Sequence, residues 1–498
     1  MAVQIVEKRG GVRRILEHLG SAHDERELAV LMQAARERLH DGQDELDLGL
    51  DTPGQTRWDR ARLVSTASEI LWQVLRGAYA ELGFDMLGDE AFEAMVLARL
   101  IEPTSKADTI RVLEEIGAPA PHLNTLYAAL RRAQERDYRD QFAKACLSHS
   151  TRANGPVALV MYDVTTLHFE RDEEDELRKV GMSKERRADP QVQVGLLVDP
   201  GGFPLEVHLF EGNKAETKTI VPVLQAFQAR HGVTDLVVVA DAGMLSAANL
   251  NAIEDAGFSF IVGSRLTKAP YDLADHFTSK GDAFTDAQIL ESTRVMEFKG
   301  DARERRIVYQ WLFKRHKRDD RNINLMIARA ERIAAGKTAA RQARFLKVTG
   351  ASLGLNEETI ARARQLAGLK GYVTNLPITA MNGQDIISAY HDLWHVEASF
   401  RMTKNDLQAR PVFHHQHEAI EAHLTVVFAA LAISHHLTTA TGQSLKRIIR
   451  TLRPLRSAII TIEGHEFTAD PTITADARAL LDRLPPITTT GHLSLIHI

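Results

Sequence analysis

The sequence predicts an α/β fold in which a mixed-sheet core is interrupted by an inserted segment and flanked by helical regions. Three observations predict it. Between residues 155 and 268, β-branched apolar runs interleave with helical patterns, the alternation that builds an α/β core. That pattern lapses into irregular, basic sequence and returns at Gly371. Residues 1–150 instead set apolar and charged positions at helical spacing, as in DERELAVLMQAARERL and DEAFEAMVLARLIEP, the signature of amphipathic helices.

Length and composition set the bounds. At about 150 residues per domain, 498 residues give a prior of about three domains. With 61 Lys and Arg against 66 Asp and Glu, the net charge of −5 does not by itself point to nucleic acid. The single cysteine, Cys146, excludes a disulfide framework and a cysteine-based zinc cluster, which fits a reducing, cytoplasmic compartment. It reads as a small buried hydrophobe. The N-terminus, MAVQIVEKRGGVRR, lacks the apolar run of a signal peptide. The most apolar stretch, Leu424–Ser434, is shorter than the roughly 20 residues that span a bilayer and reads as a core helix, so no membrane partner is expected.

In chain order, SKADTIRVLEEIG and HLNTLYAALRRAQERDYRDQF each begin with a plausible cap. Joined by GAPAPH, they make a candidate DNA-binding helix pair, a pattern that ordinary helical hairpins share. After Gly155, PVALVMYDVTTLHFE is a buried-strand sequence, and QVQVGLLVDPGGFPLEVHLFEG reads as two strands joined at DPGG. KTIVPVLQAFQARHG reads as a helix closed by Gly232, DLVVVADAGM as a strand, SAANLNAIEDAG as a helix and FSFIVGS as a strand. These make 155–268 the first part of the core. Residues 269–368 form the inserted segment. From Arg303 to Lys347 it carries fourteen Lys and Arg against four Asp and Glu. There IVYQWLFKRHKR places aromatics beside Lys314, Arg315, Lys317 and Arg318, and LMIARAERIAAGKTAARQARFLKV follows as a charged helix. This is either a solvated basic face or a phosphate-contacting surface. Residues 369–440 resume the core with the strand GYVTNLP and helices from Asp385 and Glu418. Residues 441–492 are a basic helical tail, with Lys446, Arg447, Arg450, Arg453 and Arg456. The last six residues, LSLIHI, back-translate to a sequencing-adapter sequence; they are expected to be artefactual and are assigned no function.

Two carboxylates stand out. Asp163 in VMYDVTT and Asp241 in VVVADAG each sit late in an apolar strand, where an acid is costly unless paired, hydrogen-bonded or bound to a metal. Strand C-terminal ends are also where α/β sites collect. The third piece is AYHDLWHVEASFRMTKNDLQARP. On one continuous helix, Tyr390, Trp394, Arg401 and Lys404 fall within about 60° of Glu397 at about 100° per residue. The plain alternative is a surface helix with a Glu397–Arg401 pair.

With these residues in place, the chain resembles the insertion-sequence transposases that carry a DDE site on a ribonuclease-H-like fold, particularly the group in which an extra domain interrupts the core before the glutamate. Their helix motif is Tyr, two residues, Arg, three residues, Glu, six residues, Lys. Tyr390, Glu397 and Lys404 match it; Leu393 occupies the Arg position, and Arg401, one turn after Glu397, is a substitute cation. The resemblance covers roughly residues 155–440. It implies Asp163, Asp241 and Glu397 as catalytic residues and metal ligands for two Mg2+ ions, with Mn2+ as substitute. It further implies that Tyr390, Trp394, Arg401, Lys404, Arg410 and the basic insert contact double-stranded DNA at terminal inverted repeats and target, and that a homodimer synapses two ends. The 156 residues from Asp241 to Glu397 are too many for one loop, which requires the insertion.

Other functions fit the same residues less well. A dehalogenase-type phosphatase would use Asp163 as nucleophile but needs an acid where Thr165 stands. His414, His415, His417 and His423 do not make the i,i+4 pair of a zinc protease helix. The acidic cluster Glu170–Glu176 reads as a solvated loop. A catalytically inactive, transposase-derived DNA-binding protein and a nuclease without strand transfer are the alternatives of function.

Overall fold

A computed structural model describes residues 2–9, 12–21, 62–169, 173–181, 189–244, 246–337, 343–349, 352–409, 417–462 and 465–484, and three isolated positions before residue 36. Arg410, Glu170–Asp172, His414, His415 and the terminal LSLIHI lie outside the described residues. The chain divides into two compact units, Met1–Arg62 with Ile460–Phe467, and Leu63–Ile459 with Thr468–Ile498.

The first unit departs from the helical expectation for residues 1–150. Strands β1 (Ala2–Arg9) and β2 (Val12–Ser21) pair antiparallel. The reason is legible afterwards: VQIVE and VRRILE flank Gly10 and Gly11, and two short apolar-polar runs around a Gly-Gly step favour a hairpin over a helix.

In the second unit the helical expectation holds from residue 69. After β3 (Arg62–Ala67) come α1 (Glu69–Glu81), α2 (Glu90–Ile101), α3 (Lys106–Ile116), α4 (Leu123–Glu135) and α5 (Tyr138–Asn154). The Ser105 side chain caps α3 by accepting from the Asp108 amide, and Gly117 closes it in the left-handed region. The single helix expected from His122 to Phe142 is instead two, broken at Asp137, whose φ is 50°. Cys146 on α5 is buried, and burial pushes its thiol up.

The core is one eight-stranded mixed sheet. Its strands are β4 (Leu159–His168), β5 (Gln191–Val198), β6 (Pro204–Glu211), β7 (Val237–Ala240), β8 (Ser259–Ser264), β9 (Ile289–Phe298), β10 (Asp301–Trp311) and, beyond two further strands, β13 (Leu369–Thr374), in the order β6-β5-β4-β7-β8-β13-β10-β9. β4, β5 and β6 form an antiparallel meander. β7 lies parallel to β4, and β8 parallel to β7. Parallel neighbours need crossovers, which α6 (Ile220–His231) and α7 (Ala247–Asp255) supply. β5 is buried at every position, as a strand covered on both faces should be.

The insert is mixed, and it is not separate from the core sheet. β9 and β10 extend that sheet through β13. Helix α8 (Phe313–Ala334), the hairpin β11 (Leu346–Thr349) and β12 (Ser352–Leu355), and α9 (Glu357–Gln365) then build a small core of Ile323, Ala330, Phe345, Ile360, Ala363 and Ala367. The charged helix therefore starts earlier and stops sooner than its sequence pattern predicts. FLKV contributes to a strand, where β-branched and aromatic residues pack well.

After α10 (Gly383–His391) and α11 (Trp394–Asn405), helix α12 (His417–Thr441) packs against α1, α2, α4, α5 and β6. It is long and apolar enough to cross a bilayer by length and composition, but 72% of its apolar window is buried inside the protein. The basic tail, which opens with α13 (Leu445–Leu452), is partly consumed internally. Lys446 pairs with Asp406, and Arg453 with Glu102 and Glu115.

Candidate active site

Asp163 and Asp241 come from adjacent parallel strands in matched register. Tyr162 on β4 stands opposite Ala240 on β7, so the two aspartates are the next residues along neighbouring strands, which lie about 4.8 Å apart. Asp163 is half-buried and Asp241 exposed. Tyr162 reports on this place. Burial pushes its phenol up while its hydrogen bond to the Thr219 hydroxyl, 2.8 Å long, pulls down, and Asp163 and Glu216 add to the rise.

Asp241 is held by Tyr390, whose hydroxyl donates to Oδ1 at 3.1 Å. Burial and then the Asp241 charge push the Tyr390 phenol up, so it stays a donor. Gly263 on β8 makes the approach possible: a Cβ there would sit 2.6 Å from the Tyr390 hydroxyl. A side chain at this glycine would displace the tyrosine from the aspartate.

The single helix expected around Glu397 is two. α10 ends at His391, and a tightened turn follows in which the His395 and Val396 amides bond back three residues to Asp392 and Leu393. Tyr390 therefore belongs to a buried face turned to the sheet, apart from the residues after it. On α11 the face arithmetic holds. Val396, Ser399, Phe400 and Thr403 are buried, while Trp394 (56% exposed), Glu397 and Arg401 face outward and Lys404 is half-buried. The helix packs across β4 and β5, which carries Glu397 over the strand of Asp163. Among the described residues, no group of three or more His, Cys, Asp or Glu side chains is spaced to hold a metal ion.

The basic insert separates into two kinds of cation. Arg303 pairs with Glu254, Asp255 and Asp301, Arg305 with Glu254, and Arg306 with Glu291; these fasten the sheet. Lys314, Arg315, Lys317 and Arg318 lie in the first turns of α8, all but Arg315 exposed. The start of α8 is tied to the chain entering β13 at Gly368, whose carbonyl accepts from the Leu312 amide and whose amide donates to Asp319; from this turn the Arg315 charge lowers the pKa of Lys370, Tyr372 and His391. His417 faces Glu421 at 3.5 Å, and buried His423 bonds to the Ala409 carbonyl.

Lys370 escapes the sequence pattern, whereas Glu216 falls in GNKAETKT, which with Asn213 reads as a helix start near the site. Lys370, the second residue of β13, sets its ammonium 4.5 Å from the Tyr390 ring centroid. Glu216 brings Oε2 to 3.6 Å from where a Cβ on Gly243 would stand, two residues beyond Asp241. The available signals were a lysine near the start of the apolar run LKGYVT and an acid close before a helix, both too common to assign a role.

The order β6-β5-β4-β7-β8, with an antiparallel meander followed by two parallel strands, an acid midway along its first strand and another just past its fourth in chain order, defines the ribonuclease-H-like class. Within it, this chain belongs to the transposase DDE domain family, whose model matches residues 158–433. No curated protein matches the chain. Among solved structures, the piggyBac transposase synaptic complex with hairpin DNA is 10% identical, covers 77% of each chain and has a TM-score of 0.39. The Mos1 transposase paired-end complex with left transposon end is 12% identical over 46% of this chain and 66% of that one, with a TM-score of 0.16. The Mos1 mariner paired end complex with Mn is 11% identical over 46% and 67%, with a TM-score of 0.15.

Proposed function

We propose that the chain is a DNA transposase that cleaves and joins insertion-sequence ends by phosphoryl transfer, with Asp163, Asp241 and Glu397 as its catalytic carboxylates. The observation that carries this reading is the pair of aspartates that follow the last matched residues of the β4–β7 pairing, Tyr162 and Ala240, with the Glu397 helix packed on β4 and β5. Family membership supports it.

The three carboxylates are hard oxygen donors, and by donor chemistry alone they suit Mg2+ with Mn2+ as substitute; their spacing in this structure is not that of a metal group. Two ions are the expectation for in-line displacement at phosphorus, and when bound they lower the pKa of an attacking water and stabilise the leaving oxygen. The chain's own part is positioning. Tyr390 fixes one oxygen of Asp241 and thereby orients the other. Glu397 stands on the exposed face of α11 beside Arg401, with Trp394 available for stacking and Lys404 for phosphate contact. Arg410 belongs to the same proposal by sequence. Lys314, Arg315, Lys317 and Arg318 extend the cationic track for double-stranded DNA, both terminal inverted repeats and target. Two ends held together make a homodimer the working assembly, in the cytoplasm on nucleoid DNA.

Glu397→Gln tests this. It removes one charge at nearly constant shape, so the variant is expected to bind transposon-end DNA and to lose metal-dependent nicking. Retained nicking in Mg2+ would sink the assignment. Binding without nicking by the unaltered chain would mark an inactive derivative, and cutting without joining a nuclease.

A further inference from the structure

Lys370 has no counterpart in the helix motif, yet it stands over the ring of Tyr390, the residue that holds Asp241. β13 lies between β8 and β10; Lys370 pairs with Gln310 on β10, and pairing with β8 begins at the next residue, Gly371. The half-buried ammonium sits 4.5 Å from the Tyr390 ring centroid and 5.5 Å from that of Tyr372. Tyr390 carries Asp241 on its hydroxyl, so one ring has the cation on its face and the carboxylate at its tip.

The electrostatics of this place are unfinished. Burial and then Arg315 hold the Lys370 ammonium below the usual lysine range, while Asp241 and Glu397 pull it back up. Both acids therefore act on Lys370, and among the described residues it makes no salt bridge to either. Arg315 is in the same condition. Its ion pair is to Asp319 at 3.6 Å, and its buried Nε has no hydrogen-bond partner among the described residues, although a guanidinium offers five donors. Arg315 also stands in the first turn of α8, the end of a helix that repels cations. A half-buried ammonium beside two tyrosines and a guanidinium in the first turn of a helix are both groups that an anion between them would stabilise.

We propose that Lys370 and Arg315 together seat a backbone phosphate of duplex DNA beside Asp241 and Glu397, supplying from β13 and α8 the cation that Leu393 does not provide. This rests on the transposase reading above. A DNA phosphodiester is favoured over a free nucleotide because the seat opens on an exposed face. Exposed Lys314, Lys317 and Arg318 continue it on α8, and exposed Trp394 and Arg401 continue it on α11, a track suited to successive phosphates rather than one enclosed ligand.

The test is a salt titration of duplex-DNA binding by fluorescence anisotropy in magnesium-free buffer, using a duplex several helical turns long. Removing one cation from a phosphate lowers the slope of log K against log salt by about one, so Lys370→Ala and Arg315→Ala should each show that decrease, and Lys370→Arg should restore the slope. Lys370→Met keeps the aliphatic stem over the two tyrosines and serves if the alanine variant melts early. An unchanged slope in Lys370→Met with unaltered melting overturns the inference and leaves the catalytic reading intact. A reduced slope in a chain that fails to nick DNA in Mg2+ upholds the seat and removes the catalytic reading. No duplex binding by the unaltered chain overturns both.

Discussion

The carboxylates and the cations of this site stand on regions built in opposite ways. Asp163 lies midway along β4 and Asp241 just past the end of β7, behind residues Val160, Met161, Tyr162, Val238, Val239 and Ala240 that are without solvent exposure. Lys314, Arg315, Lys317 and Arg318 ride on α8, whose 22 residues bury Ile323, Ala330 and Ile333. The difference teaches a division of labour. Dense packing on both faces holds the two aspartates to a fixed spacing, whereas sparse apolar burial lowers the free energy of local opening of α8, which on the proposed function would let a basic helix adjust to a duplex.

The largest effect should come from the sheet. Ile261 on β8 lies between Val239 on β7 and Thr374 on β13 and is fully buried. Ile261→Ala is expected to cost about 4 kcal/mol, near the top of the range because strands on both sides prevent collapse of the cavity. Denaturant unfolding followed by circular dichroism should show one shifted cooperative transition of the second unit. A loss under about 1 kcal/mol would mean that the sheet relaxes as readily as a surface element, and the contrast with α8 would fall.

The second effect lies at the sheet's edge, where β6 uses charge instead of apolar packing. Glu206, almost fully buried, accepts from His208 at 2.7 Å and His231 at 2.8 Å and pairs with Arg230, which also meets Asp140. Burial pushes its carboxyl up, but these partners outweigh burial and hold it below its ordinary value of 4.5. A folded-state value below the unfolded one adds stability above 4.5 that is lost as pH falls through the folded value. Glu206→Gln leaves cations buried without their acid and should cost about 3 kcal/mol at neutral pH. The variant should also lose less stability than the unaltered chain on acidification. Equal acid sensitivity in both would remove Glu206 as the anchor of α6 to the edge strand.

How far the sequence foretold all this follows the same contrast. The strands bearing Asp163 and Asp241 were legible because burial on two faces leaves an apolar run in which an acid is conspicuous. Glu397, Arg401 and Trp394 were legible as one helical face because the backbone from residue 394 is regular. Tyr390 lies off that face, because a turn that nothing in HDLW announces separates α10 from α11. Lys370 was invisible because its importance comes from strand order: β13 reaches the site only by pairing with β8, a neighbour more than a hundred residues earlier. The insert misled in a related way. Its charge total merged Arg303, Arg305 and Arg306, which fasten the sheet, with the cations at the start of α8, and only tertiary pairing separates them.

The smallest effect isolates α8. Ile323 is 6% exposed and belongs to the satellite core with Phe345 and Ile360, where α8, the β11–β12 hairpin and α9 are the elements available to close over a cavity. Ile323→Ala is therefore expected to cost about 2 kcal/mol, at the low end for such a truncation, and to express that cost locally. Hydrogen exchange should quicken across Phe313–Ala334 while amides of β7 and β8 keep their protection. Duplex binding should weaken through a less ordered set of cations, whereas the Tyr390 to Asp241 bond, carried by α10 and the sheet, is untouched. If exchange instead quickened equally in β8 and α8, the two regions would open as one unit, and the separation of fixed carboxylates from adjustable cations would have no physical basis.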